Sequence, residues 1–98
     1  MKLLLSYNIK PESAQAYYEF VLGRYVPTMQ SMGLEMSEAW HTAYGDYPDR
    51  LIGFVAKDRD TMMDVIEGET WHTLNDRLFE FVTDFEYKVI NFELGFQF

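Results

Sequence analysis

Ile90, Phe92, Leu94, Phe96 and Phe98 fall at every second position near the carboxyl end of this chain, with Asn91, Glu93, Gly95 and Gln97 between them. Side chains of a strand alternate between its two faces, so the stretch from Val89 to Phe98 predicts a half-buried strand with an aromatic inner face. Such a strand has to be seated inside a sheet, because an aromatic edge left open is an aggregation hazard.

The remaining elements can be read in the same way. Lys2 to Ile9 alternates, with Leu3, Leu5, Tyr7 and Ile9 on one face. Pro11 suits the first turn of a helix and Glu12 suits its positive end. From Ala14 to Met32, Tyr17, Val21, Tyr25, Met29 and Met32 keep helical spacing, with Tyr18, Phe20 and Leu22 widening the stripe. Gly33 ends that helix. Pro27 lies four residues after Gly23, so a kink is expected there: either a helix curving over a sheet or a bend that opens a cleft between helix and sheet. Leu34 to Tyr44 predicts a second strand with Leu34, Met36, Glu38, Trp40, Thr42 and Tyr44 on one face and Ala39, His41 and Ala43 on the other. Gly45 to Asp49 is a turn cluster, and Arg50 to Ala56 a third strand. The Asp58-Arg59-Asp60 stretch supplies an N-cap for a short helix through Ile66, broken by Gly68. A further helix is expected from about Thr70 to Phe85, with Trp71, Leu74, Leu78, Phe81, Val82 and Phe85 on one face.

Charge and length narrow the partners. Ninety-eight residues make one domain, and sixteen acidic against eight basic residues give a formal charge of −8. Phosphate backbones and anionic lipid would repel such a surface, so neither nucleic acid nor membrane is expected. No apolar run approaches the roughly 20 residues needed to span a bilayer. Leu3-Leu4-Leu5 also falls short of the ~7–15 apolar residues of a secretory leader. The chain has no cysteine, which removes disulfide and thiol chemistry and fits a reducing compartment. The cytoplasm is the expected location. Aromatic residues make up 17% of the chain, so part of that surface is expected to serve a partner or ligand.

The predicted order is strand, helix, strand, strand, helix, strand. That is a ferredoxin-like βαββαβ sandwich: an α+β fold with both helices on one face of a four-stranded antiparallel sheet. The other face would carry Lys2, Leu4, Ser6 and Asn8 with Val89, Asn91, Glu93 and Gln97. From the middle strands it would take either the Trp40–Tyr44 set or the His41 set, and parity leaves both open. Pairing this face with a second copy across a two-fold axis predicts a homodimer. Glu93, mid-strand on that face, would then need a buried partner such as Lys2 or Arg50.

Length, element order and the aromatic C-terminal strand together resemble the dimeric α+β barrel superfamily. That group includes antibiotic-biosynthesis monooxygenase-like, NIPSNAP-like, EthD-like and stress-responsive barrel proteins. The resemblance covers the whole chain. It implies two ferredoxin-like subunits joining their sheets into one barrel, with a ligand cleft between each sheet and its own helices. The haem-degrading members use an Asn from the first strand with a Trp and a His from the second helical region. Asn8, Trp71 and His72 are the same residue types in the same neighbourhoods. That family keeps Trp and His well apart in sequence, however, and here they are adjacent. Adjacent helical residues point about 100° apart, so Trp71 and His72 do not face one ligand alike.

Other constellations are weaker. Glu69 and His72 have the spacing of a di-iron ligand pair but lack the second copy and further carboxylates that chemistry needs. They read more simply as a solvated helix start, and His72 with Asp76 as an exposed pair. Glu38 and His41 point to opposite faces of a strand and cannot be joint ligands. Phosphate-binding loops, nucleophile elbows and zinc spacings are absent from the sequence. Two functional readings remain. In the first, Tyr17, Tyr25, Trp40, Tyr44 and Trp71 line a cleft for a flat organic molecule, with His41 or His72 handling protons in a cofactor-free, metal-free enzyme. In the second, these residues are core, and the barrel is a non-catalytic assembly or partner-binding module.

Overall fold

Leu3, Leu5 and Tyr7 alternate with Leu4, Ser6 and Asn8, and β1 (Lys2–Ile9) forms with the first set buried and the second half-buried. The computed structural model describes residues 1–41 and 50–91. β2 (Leu34–His41), β3 (Arg50–Ala56) and β4 (Val82–Ile90) complete an antiparallel sheet in the order β2-β3-β1-β4. On the covered face of β1 and β3, Leu3 lies opposite Phe54 and Leu5 opposite Ile52. The helices pack there, so the core is a single layer between sheet and helices. The chain is a ferredoxin-like α+β domain.

The first helical region is not one regular helix. A 3₁₀ turn (Pro11–Ser13) leads into α1 (Ala14–Phe20), a π segment (Val21–Tyr25) and α2 (Val26–Ser31). Pro27 has no N–H for the Gly23 carbonyl, and its ring crowds that carbonyl. The helix widens just ahead of it, and the Val26 N–H reaches back five residues to the Val21 carbonyl. The expected kink is therefore a π segment. Tyr17, Val21, Tyr25 and Met29 stay buried through it, whereas Tyr18 and Leu22, expected to widen the stripe, are exposed. A groove of about 810 Å³ flanks Gly23, with Phe20, Arg24, Leu74, Arg77 and Phe81 among its walls. It runs between helices rather than between helix and sheet. Gly33, at φ 96°, closes α2 in the left-handed region.

α3 (Arg59–Glu67) begins at the expected cap, where the Asp58 carboxylate accepts from the Thr61 N–H at 2.8 Å. α4 (Glu69–Leu78) ends earlier than its apolar spacing suggests. The Phe79, Glu80 and Phe81 amides close a tight turn on Asn75, Arg77 and Leu78 carbonyls, and the Lys10 amide then donates to Phe81. Val82 and Phe85 consequently belong to β4, not to a helix. Their three-residue spacing mimicked a helical stripe, but each backbone group of Val82–Ile90 can bond β1.

Two bulges reset the faces. Between Met36 and Glu38, one extra residue of β2, Ser37, faces β3 without its own partner. Leu34 and Met36 therefore face the helices, whereas Glu38 and Trp40 face away and His41 turns back. The single face expected from Leu34 to Trp40 is split in two. In β4 the register shifts beside Asp84, at φ 57°. Val89 then lies opposite Leu3 on the covered side, and Ile90 opposite Lys2 on the open side, the reverse of the expectation. The rest of the expected aromatic strand, Phe92–Phe98, lies outside the described residues.

Candidate functional site

A cross-strand row at one end of the covered face gathers the polar chemistry. Tyr7 lies opposite Arg50 on β3, and Arg50 lies opposite His41 on β2. Directly opposed residues share a sheet face. Because Tyr7 is buried beneath the helices, all three belong to the helix side. Tyr17 of α1 brings its hydroxyl to 2.6 Å from that of Tyr7. Phe85 stacks on Tyr7 at 6.2 Å, and Tyr18 packs edge-on against Tyr17 at 4.9 Å. The Arg50 guanidinium carbon lies 5.6 Å from the centre of the Tyr18 ring. His41, at the end of the row, is exposed.

Burial pushes the Tyr7 phenol well above its ordinary value, reinforced by its neighbour Tyr17. Tyr17 is raised for the same reason, but its hydrogen bonds with Tyr7 and Arg50 pull the other way. Arg50 can only donate, so Tyr17 accepts from it. In the Tyr7–Tyr17 bond either hydroxyl can be the donor. Both phenols are neutral near pH 7 and the guanidinium is charged. Among the described residues, no carboxylate forms an ion pair with Arg50, whose Nε is buried without a hydrogen-bond partner.

Tyr25 and Trp71 form a different group. The Tyr25 hydroxyl donates to Asn75 Oδ1 at 2.7 Å and accepts from Trp71 Nε1 at 2.9 Å. All three side chains are buried, and burial holds the Tyr25 phenol above its ordinary value. Their polar atoms satisfy one another, so they are core rather than the lining of an open cleft.

Trp40 is on the uncovered face. It is 61% exposed, and its Nε1 donates to Glu38 Oε2 at 3.2 Å. Glu38 also pairs with Lys2, which holds its carboxyl below the usual range. That carboxylate reaches across Gly53, where a Cβ would come within 2.8 Å of Glu38 Oε1. Lys2 and Arg50, both expected as partners of Glu93, thus face opposite sides of the sheet. Glu93 and Tyr44 lie outside the described residues.

The expected residues therefore separate. Tyr17 and His41 belong to one row, Tyr25 and Trp71 to the core, and Trp40 to the far face. His72 is exposed on α4 beside Trp71. Asn8 donates to Asp84 at 2.9 Å on the uncovered side, so Asn8, Trp71 and His72 share no site. Among the described residues, no group of three or more His, Asp or Glu could hold a metal. Sequence reasoning passed over Tyr7 and Asn75 as site or network residues and offered Arg50 only as a partner for Glu93. Tyr7 stood on the predicted inner face of its strand and was detectable there. Arg50 required the register.

No protein-family model and no curated protein matches the chain. Solved structures do. An uncharacterised NIPSNAP domain protein from Burkholderia xenovorans superposes with a TM-score of 0.67 at 9% identity, over 99% of this chain and 100% of that one. A protein from Agrobacterium tumefaciens superposes with a TM-score of 0.66 at 13% identity, over 92% and 90%. The fold is that of the NIPSNAP and antibiotic-biosynthesis-monooxygenase-like proteins. An antibiotic biosynthesis monooxygenase-like protein from Nitrosomonas europaea gives 0.64 at 18% identity, over 97% and 100%. Identities this low carry the NIPSNAP-like fold and nothing about a reaction. Among the described residues, no helix is long and apolar enough to cross a membrane.

Proposed function

We propose that the protein is a homodimeric α+β barrel that binds a small, flat organic molecule where the Tyr7–Arg50–His41 row meets α1. The polar end of the row carries this reading: the half-buried Arg50 guanidinium lies against the exposed Tyr18 ring, beside two buried, neutral hydroxyls 2.6 Å apart. A few placed polar groups against aromatic walls are what small-molecule sites use to fix orientation. His41, in the same row and exposed, is available to move a proton on a bound molecule. That chemistry needs no cofactor and suits the monooxygenase-like name of the Nitrosomonas neighbour. The dimer would form on the uncovered face, where exposed Trp40 and half-buried Leu4, Leu51 and Val55 surround the Lys2–Glu38 pair.

Bicyclic aromatic probes titrated into isotope-labelled protein test the site. The expected response is movement of the Tyr7, Tyr17 and His41 amide signals, with Tyr18→Ala weakening binding about tenfold. Movement confined to other regions, or none, would refute it. Light scattering tests the dimer, since each chain is 11.6 kDa; a monomer at micromolar concentration would exclude it. The non-catalytic reading also has an observation in its favour. The Trp71–Tyr25–Asn75 network fills the deeper layer with the protein's own side chains.

A further inference from the structure

We infer that the molecule bound in this row is a planar organic acid, recognised through its anionic group by the Arg50 guanidinium. The inference rests on the proposed site and adds the charge of its ligand. A guanidinium is a planar fork of five donors that matches a carboxylate in two parallel hydrogen bonds. The fork of Arg50 is fixed from below by Tyr18, and its Nε is buried with no acceptor. A half-buried cation without a counter-charge is costly, and proteins normally pair it.

This chain has acids to spare, sixteen against eight bases. Both Lys2 and Arg77 take one, from Glu38 and Glu80. Arg50 takes none among the described residues. Its surroundings are phenols and aromatic rings instead.

The neighbouring phenols point the same way. Tyr17 and Tyr7 are buried and spend their hydroxyls on each other, so neither supplies a counter-charge to Arg50. Arg50 presents its donors over the exposed Tyr18 ring, with half-buried Phe85 stacked on the neighbouring Tyr7. A negative charge satisfies these donors, and a planar ring or enol system satisfies the rings. A neutral amide of the same shape supplies acceptor oxygen but no charge.

The experiment compares 2-naphthoate with its neutral isostere 2-naphthamide, following the Arg50 Nε–H signal of isotope-labelled protein. Naphthoate is expected to move that signal and to bind at least about tenfold more tightly than the amide. Arg50→Met, which keeps the stem and removes the fork, is expected to abolish the preference. If the amide binds as well as the acid, or the acid binds without moving the Arg50 signal, the inference fails while the proposed site stands. If neither probe binds, both fail. Should Arg50→Met not fold, the comparison in the unaltered protein still decides.

Discussion

The Tyr25 hydroxyl is used twice, once as donor to Asn75 and once as acceptor from Trp71, inside the core. Tyr25→Phe strands an indole N–H and an amide oxygen. It is expected to destabilise the fold by about 2–3 kcal/mol, read as a lower urea midpoint at constant slope. An unchanged midpoint would show that the network contributes nothing. Tyr7, Tyr17 and Tyr25 all have phenols raised by burial, whereas an unfolded tyrosine ionises near pH 10. Because the folded values are the higher ones, the stability they confer is complete below about pH 10. It drains away above that, by up to about 1.4 kcal/mol per pH unit for each tyrosine. Alkaline unfolding should therefore be cooperative, with these phenols ionising in the same transition. Ionisation of all seven tyrosines near pH 10 in an intact fold would contradict this. Helical spacing made Tyr25 and Trp71 legible as inward-facing residues. Their mutual hydrogen bond was not legible, since it joins positions 46 apart whose depths only the packed helices define.

Elements were most readable where a local signal fixed them. Asp58 caps α3 and Gly33 closes α2 as their chemistry requires, and Pro27 forced a break that took the form of a π segment. Gly33→Ala would place a side chain at φ 96° with its Cβ 3.2 Å from Thr61 Cγ2. A loss of about 1–2 kcal/mol is expected, seen as a melting temperature several degrees lower. A melting temperature equal to that of the unaltered protein would mean the turn relaxes without strain. The boundary between α4 and β4 was misread because Leu78, Phe81, Val82 and Phe85 keep helical intervals by coincidence. What decides there is pairing with β1, a contact far away in sequence. Both bulges were invisible for the same reason: an extra residue is extra only relative to the strand beside it.

At the scale of the whole molecule, the fold places two surfaces back to back. One is the Tyr7–Arg50–His41 row beneath α1, and the other is the open sheet face around Trp40. If the second face is the dimer contact, Trp40→Ala should raise the dimer dissociation constant by about tenfold or more. The unfolding of the isolated subunit should hardly change, because the indole is 61% exposed within it. Sedimentation across a concentration series separates the two effects, and an unaltered dimer constant would remove Trp40 from the contact. Trp40 and His41 are consecutive, and Ser37 sets the phase of both. Were Ser37 to take a regular place in the ladder instead of bulging, the two would swap, driving the indole inward and swinging the imidazole outward. The two faces are thus geared together on a single strand, so neither side chain can be turned without turning the other.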